Sequence, residues 1–388
     1  MLAVTLSLLL SGCVATLEPP AVAVGAVPAV VGSGGGSFGT SVAASGDTML
    51  VGALLDGVNR TGSVYVFTRG AQGWEKTQVL EPEVATDDAF FGSSVAVQGN
   101  TLAVGARGEG AVYLYTRSGS RWALQSRLQP ADATPTDHFG TSLDLSGDVL
   151  AVGASSKTTP GHGTGAVYLF RRTDHGWKRT AVLTSDVGSG LAMFGTSVAL
   201  DGATLAVGAS QEPLDAGASG SVYLFHLNGQ GAELLARLRP PQAGVAHGFG
   251  TSVSLHDDLL AVGTPGDDYG GYGSGPVFVY RHTGAGWNAV GQLTPPAPAP
   301  SEHFGTALAV WDGAITVGSV TDNDIPMGTV KVLVYRELGA SWGLDSQVTI
   351  AHHTASPRYV ALVDAGSRLI VGSASSDGSG QVLALGPR

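Results

Sequence analysis

The residues best suited to chemistry are two acids and two tyrosines in one glycine-rich stretch. Thr264 to Ser274 (TPGDDYGGYGS) brings Asp267, Asp268, Tyr269 and Tyr272 together. A tyrosine offers contact area at small entropic cost and a hydroxyl for specificity, and the acids suit a sugar or a cationic partner. These four are the candidate partner-binding residues. Asp322 and Asp324, flanking Asn323, are weaker cation candidates, because a hard cation takes six to eight oxygens. His138 and His303 stand beside Asp137 and Glu302, but they fall in units three and six of a repeat whose other units lack them, so they read as polar rim residues. There is no nucleophile motif, paired-carboxylate motif, phosphate loop or nucleotide fingerprint. No catalytic residue is therefore assigned, and no cofactor is expected. The alternative reading is an envelope polysaccharide hydrolase or lyase, with its acids drawn from Asp267, Asp268, Glu212 and Asp215.

These residues lie between copies of one phrase. Phe194 to Gly208 (FGTSVALDGATLAVG) is the cleanest copy; others start at Phe38, Phe91, Phe139, Phe249 and Phe304, and a worn one at Arg358. The second glycine of each copy, in Val-Gly, falls at Gly52, Gly105, Gly153, Gly208, Gly263, Gly318 and Gly372, at a period of about 48 to 55 residues. Such a period signals a solenoid, propeller or array.

Each unit reads as four strands. Thr196 to Leu200 alternates apolar with small or polar residues, a glycine turn follows, and Thr204 to Gly208 is apolar throughout. The third strand, Ser221 to Phe225 here, is rich in valine and aromatics and usually follows a glycine. The fourth runs from a tryptophan to an aliphatic residue six positions on, as in Trp74 with Leu80, Trp122 with Leu128 and Trp177 with Leu183. An even spacing predicts that the pair shares one strand face and packs against the neighbouring unit. The fold expected is all-β, a seven-bladed propeller of four-stranded blades.

Acids outnumber bases 31 to 20, giving a formal charge of −11. That surface is a poor match for nucleic acid, which demands a basic stripe. A monomer is expected. Residues 1–12 read as a signal: Leu2 to Leu10 is apolar but too short to span a bilayer, and Leu10-Ser11-Gly12-Cys13 resembles a bacterial lipobox. That resemblance implies lipidation at Cys13, a membrane attachment through the lipid, and a place in the cell envelope. Residues 13–37 read as anchor and latch and 38–388 as the propeller. The last unit stops after three strands, so the N-terminal segment is predicted to close it, through either Val14 to Pro19 or Ala21 to Val31.

Phe-Gly, then Val-Gly-Ala, then a strand such as Gly-Ala-Val-Tyr resembles the FG-GAP repeat family, the repeat of the integrin alpha-subunit propeller and of many bacterial surface proteins. The resemblance covers essentially residues 14 to 388. It implies that the ligand face is the rim carrying the loops from strand two to three and from strand four to the next blade; the longest of the former are Ser155 to Thr164, Ser210 to Ser219, Thr264 to Ser274 and Ser319 to Met327. Many relatives also carry a calcium loop between strands one and two. The turns here, such as Ser45-Gly46-Asp47 and Ser146-Gly147-Asp148, are too short for it, so no calcium is expected and each Asp is read as bonding its own backbone. The function expected is a surface- or envelope-anchored, non-enzymatic propeller that presents loops to a protein or glycan.

Overall fold

The computed structural model describes residues 30–385 except 32–35, 72, 159–163, 188–189, 215–218, 230, 242–247, 267–274, 299–301, 322–328, 340, 352–356, 365–368 and 376–377. The chain forms seven antiparallel sheets of four strands each. Blade one is typical, with strands Phe38–Ser45, Thr48–Ala53, Ser63–Gly70 and Gly73–Leu80 paired in chain order. Blade seven combines Pro357–Asp364, Leu369–Ser375 and Gly380–Leu385 with the two-residue strand Val30–Val31. Among the described residues the only helical turns are Val58–Arg60 and Pro135–Asp137, and no helix is long and apolar enough to cross a membrane.

The repeated phrase is a joint between blades. Each Phe-Gly glycine has a positive φ, 86° at Gly195 and 87° at Gly92, a conformation that only glycine takes at little cost. It turns its carbonyl into the preceding blade. The Val-Gly glycine there leaves the space: a Cβ on Gly153 would lie 2.2 Å from the Gly195 oxygen, and one on Gly52 2.2 Å from the Gly92 oxygen. The serine of Phe-Gly-Thr-Ser then donates to that carbonyl, at 2.8 Å from Ser41 to Gly92, 2.7 Å from Ser94 to Gly140, 2.9 Å from Ser142 to Gly195 and 2.8 Å from Ser197 to Gly250. Ser252 makes the same bond to Gly305. The series stops at blades six and seven, where Ala307 and Ala361 carry no hydroxyl. The first strands thus ring a central channel of about 260 Å³, lined by Thr40, Ser41, Thr141, Ser142, Thr196 and Ser197 with their counterparts.

The glycine before the third strand has the same origin. Gly62 and Gly165 bridge the backbone of Phe91 and Phe194 of the next blade, and a Cβ on Gly62 would lie 2.1 Å from the Phe91 oxygen. Each of these phenylalanines is fully buried and meets a third-strand ring edge-on, as Phe91 meets Tyr113 at 5.3 Å and Phe194 meets Tyr223 at 5.2 Å. Edge-to-face pairs add about 0.5–1.5 kcal/mol beyond their burial.

The fourth strand departs from the sequence expectation. Trp122 packs with Tyr113 and Tyr115 against blade-one residues Leu50 and Val64, whereas Leu128 packs toward blade three beside Phe139. The pair lies on opposite faces because Leu114 pairs with Ser126 and Tyr115 with Leu124, leaving Gln125 as a bulge. One extra residue reverses the alternation beyond it. The same shift recurs in blades one to six, so every tryptophan packs backward and every closing aliphatic forward around the ring.

The turns between strands one and two also bridge blades, a role that Asp47 combines with a bond to its own backbone. Asp47 accepts from both terminal nitrogens of Arg117 in blade two, at 2.8 and 3.0 Å, and that bond holds its carboxyl below the usual range. Asp201 accepts from the Asp257 N–H of blade five at 2.6 Å.

Candidate functional site

With the motif residues engaged in joints, the variable side chains stand on the rim. Asp267, Asp268, Tyr269, Tyr272, Asp322, Asp324 and Asp215 lie outside the described residues, as do Cys13 and residues 14–29. Second strands run farther into this rim than expected: Thr204–Pro213 and Ala314–Thr321 absorb the starts of two of the long loops, while Ser219–Asn228 absorbs the end of one.

An acid four residues after the Val-Gly glycine recurs on this rim, a signal present in the sequence at a fixed offset. Asp56, Glu109 and Glu212 occupy it, and each accepts from the third-strand tyrosine, from Tyr65 at 2.7 Å, Tyr113 at 2.8 Å and Tyr223 at 2.7 Å. Burial first, and the facing carboxylate second, push Tyr65 and Tyr113 up to about 12 and Tyr223 farther. In the sequence, Asp267 and Asp322 stand at the same offset from Gly263 and Gly318, and Phe278 and Leu333 replace the tyrosine in those units.

Glu212 corrects one expectation. It is fully buried, accepts from Ser185 at 2.9 Å and Ser221 at 2.6 Å, and is ion-paired to Arg237. A carboxylate so committed ties loop to strands and has no face for a substrate. Glu109 with Arg127, and Glu302 with Lys331 at 2.7 Å, repeat the arrangement. Among the described residues, no three His, Cys, Asp or Glu side chains group as metal ligands.

The residue before Phe-Gly varies from blade to blade, buried at Ser37, half-buried at Phe90 and Met193 and exposed at His138. Ser37, Phe90, His138 and Met193 all have φ between 52° and 57°, fixed where a threonine hydroxyl caps their carbonyl, at 2.7 Å from Thr141 to His138 and 2.6 Å from Thr196 to Met193. One turn geometry therefore carries a different side chain in each of blades one to four. Arg60 and Arg107 place their guanidinium carbons 5.9 and 5.3 Å from the Phe90 ring centre. Arg60 pairs with Asp88 at 2.7 Å. His138 lies beside Ser156 at 3.0 Å, and burial, then the charge of Arg107, lower its affinity for a proton.

A half-buried acid makes folding pH-dependent. Asp144 of blade three accepts from Leu145 N–H at 2.8 Å and, across the joint, from Leu200 N–H at 2.7 Å. Burial pushes its carboxyl up to about 7 against those two donors, and Asp201 adds repulsion. The unfolded chain therefore ionises first. The stability this group contributes is full below about pH 4 and is lost as the pH rises through about 7. The melting temperature is expected to fall between about pH 5 and pH 8, by an amount equivalent to about 1–3 kcal/mol. Asp144→Ala, which copies Ala43, Ala96 and Ala199 at this register, should flatten the slope; an unaltered slope would place the effect elsewhere.

Fold and joints define a seven-bladed β-propeller with a closed ring of first strands and a variable loop rim. The family model described as FG-GAP repeat matches residues 23–67, 74–120, 122–170, 177–225 and 234–280, well over half of the chain. The chain belongs to the FG-GAP repeat family. No curated protein matches it.

Proposed function

We propose that this chain is a non-enzymatic binding propeller, held at the cell envelope through a lipid on Cys13, that presents its loop rim to a protein or glycan. One observation carries the reading: the repeated residues are consumed in blade-to-blade joints, so variation is confined to the rim. Glu212, one of the four acids named for the polysaccharide-cleaving alternative, is buried in an ion pair. The four residues Asp267, Asp268, Tyr269 and Tyr272 remain the candidate contact patch.

Capture from envelope extract tests this, using the full chain beside a variant with those four residues changed to alanine. A partner held only by the parent supports the patch; equal capture moves the site; capture of nothing, with turnover of an envelope polysaccharide, would replace binding by catalysis. Anchoring predicts that Cys13→Ala releases the protein from the membrane fraction, and retention there would remove the lipid.

Closure of blade seven by the N-terminal segment belongs to the same proposal. Val30 pairs with Val382, the register at which Leu80 pairs with Val64 and Leu128 with Val112. Together with the family match starting at residue 23, this favours Ala21 to Val31 over Val14 to Pro19 as the latch. Deleting 21–31 should lower the melting temperature and promote aggregation, because an unpaired edge templates other chains. Deleting only 14–19 should change neither, and the reverse pattern would restore the first latch.

A further inference from the structure

We propose that the rim of blades one to three carries a second binding site, centred on Arg107, that takes a carboxylate side chain from an acidic segment of a partner protein. The inference rests on the reading of the rim as a binding face and adds to it a location and a ligand chemistry. Four non-glycine residues cluster there in left-handed conformations, Asn59, Arg60, Asp88 and Phe90, with φ between 52° and 59°. Strain of this kind persists only where surrounding structure enforces it, and it gathers at binding sites. The enforcing contacts are a zipper between two loops, with Asp88 N–H to the Asn59 carbonyl at 2.9 Å, Phe91 N–H to the Thr61 carbonyl at 2.9 Å, and Asn59 to Asp87 at 2.9 Å.

That zipper holds the Phe90 ring under two guanidiniums. Arg60 is neutralised by Asp88, as Lys157 is by Asp137 and Arg179 by Asp132. Arg107, half-buried and stacked 5.3 Å from the ring centre, makes no ion pair among the described residues. A pre-oriented guanidinium without a carboxylate is a two-pronged receptor for one, and arginine is among the residues enriched at interface hot spots. A protein partner fits better than an acidic sugar: the ring is already engaged by cations, and the neighbouring exposed group is the apolar Val58, 80% exposed, which a peptide side chain can cover.

The test is calorimetric titration of the full chain with an eight-residue glutamate peptide and with oligogalacturonate of equal charge. The peptide should bind, weaken with added salt, and bind at least tenfold more weakly to Arg107→Gln, while Arg121→Gln, on a remote hairpin, binds as the parent does. No peptide binding, equal binding by Arg107→Gln, or Arg107-dependent binding of the oligogalacturonate alone would each overturn the proposal. If envelope partners are still captured, only this site falls; if nothing is captured at all, the binding reading beneath it falls as well.

Discussion

Gly208→Val is expected to destabilise the ring by at least about 3 kcal/mol, the largest effect of a single backbone-neighbouring change. A Cβ at Gly208 would lie 2.0 Å from the Gly250 carbonyl oxygen and 2.4 Å from Ser197 Oγ; the serine can rotate away, but the carbonyl is backbone and cannot. The carbonyl belongs to the next blade, so relief requires two blades to part, which also breaks the 2.8 Å bond from Ser197. Gly202, six residues earlier, supplies the contrast. Its φ is 56° and nothing stands within 4 Å of the position a Cβ would take, so Gly202→Ala should cost only about 1–2 kcal/mol, from left-handed strain alone. Urea denaturation of both variants beside the parent measures the difference. Equal midpoints for the two variants would show that the joint yields and that glycine matters there for backbone freedom only.

Glu212→Ala should cost about 3 kcal/mol, because it removes the buried carboxylate that Arg237, Tyr223 and Ser221 share and leaves Arg237 only the partly exposed Asp186 at 3.5 Å. Ser185 comes from the loop after strand four of blade three, Glu212 from the second strand of blade four, and Ser221, Tyr223 and Arg237 from its third and fourth strands. Removing the carboxylate therefore loosens the rim as well as the core. Replacing both partners, as in Glu212→Leu with Arg237→Met, should recover much of the loss, since an apolar pair leaves no buried charge unpaired. A double variant as unstable as Glu212→Ala would mean that the remaining hydroxyls, rather than the guanidinium left with Asp186 alone, set the cost. Thermal melts of the three proteins decide between these.

How far these features could be read in advance differs residue by residue. The seven copies, the four-stranded pattern of blades one to six and the lack of α-helix among the described residues follow from period, alternation and glycine turns, because strand formation depends on local pattern and a repeated pattern repeats the structure. The recurring acid at Asp56, Glu109 and Glu212 stands at a fixed offset, yet its tyrosine partner lies on another strand at a separation that varies with loop length, so the pair was not legible. The tryptophan spacing misled for a different reason: an even separation implies one face only in an unbroken strand, and the bulge at Gln125 and its equivalents leaves no mark in residue type.

The sequence by itself determined the architecture, since each of blades one to six is specified by pairings within about 50 residues of chain. Only the tertiary structure decided what the motif glycines and serines are for. Gly153 meets Gly195 and Ser142 reaches the same carbonyl because the ring sets one blade against the next. The same closure brings Arg60, Phe90 and Arg107 from three separate loops onto one patch, a juxtaposition created by blade packing and written in no single stretch of the chain.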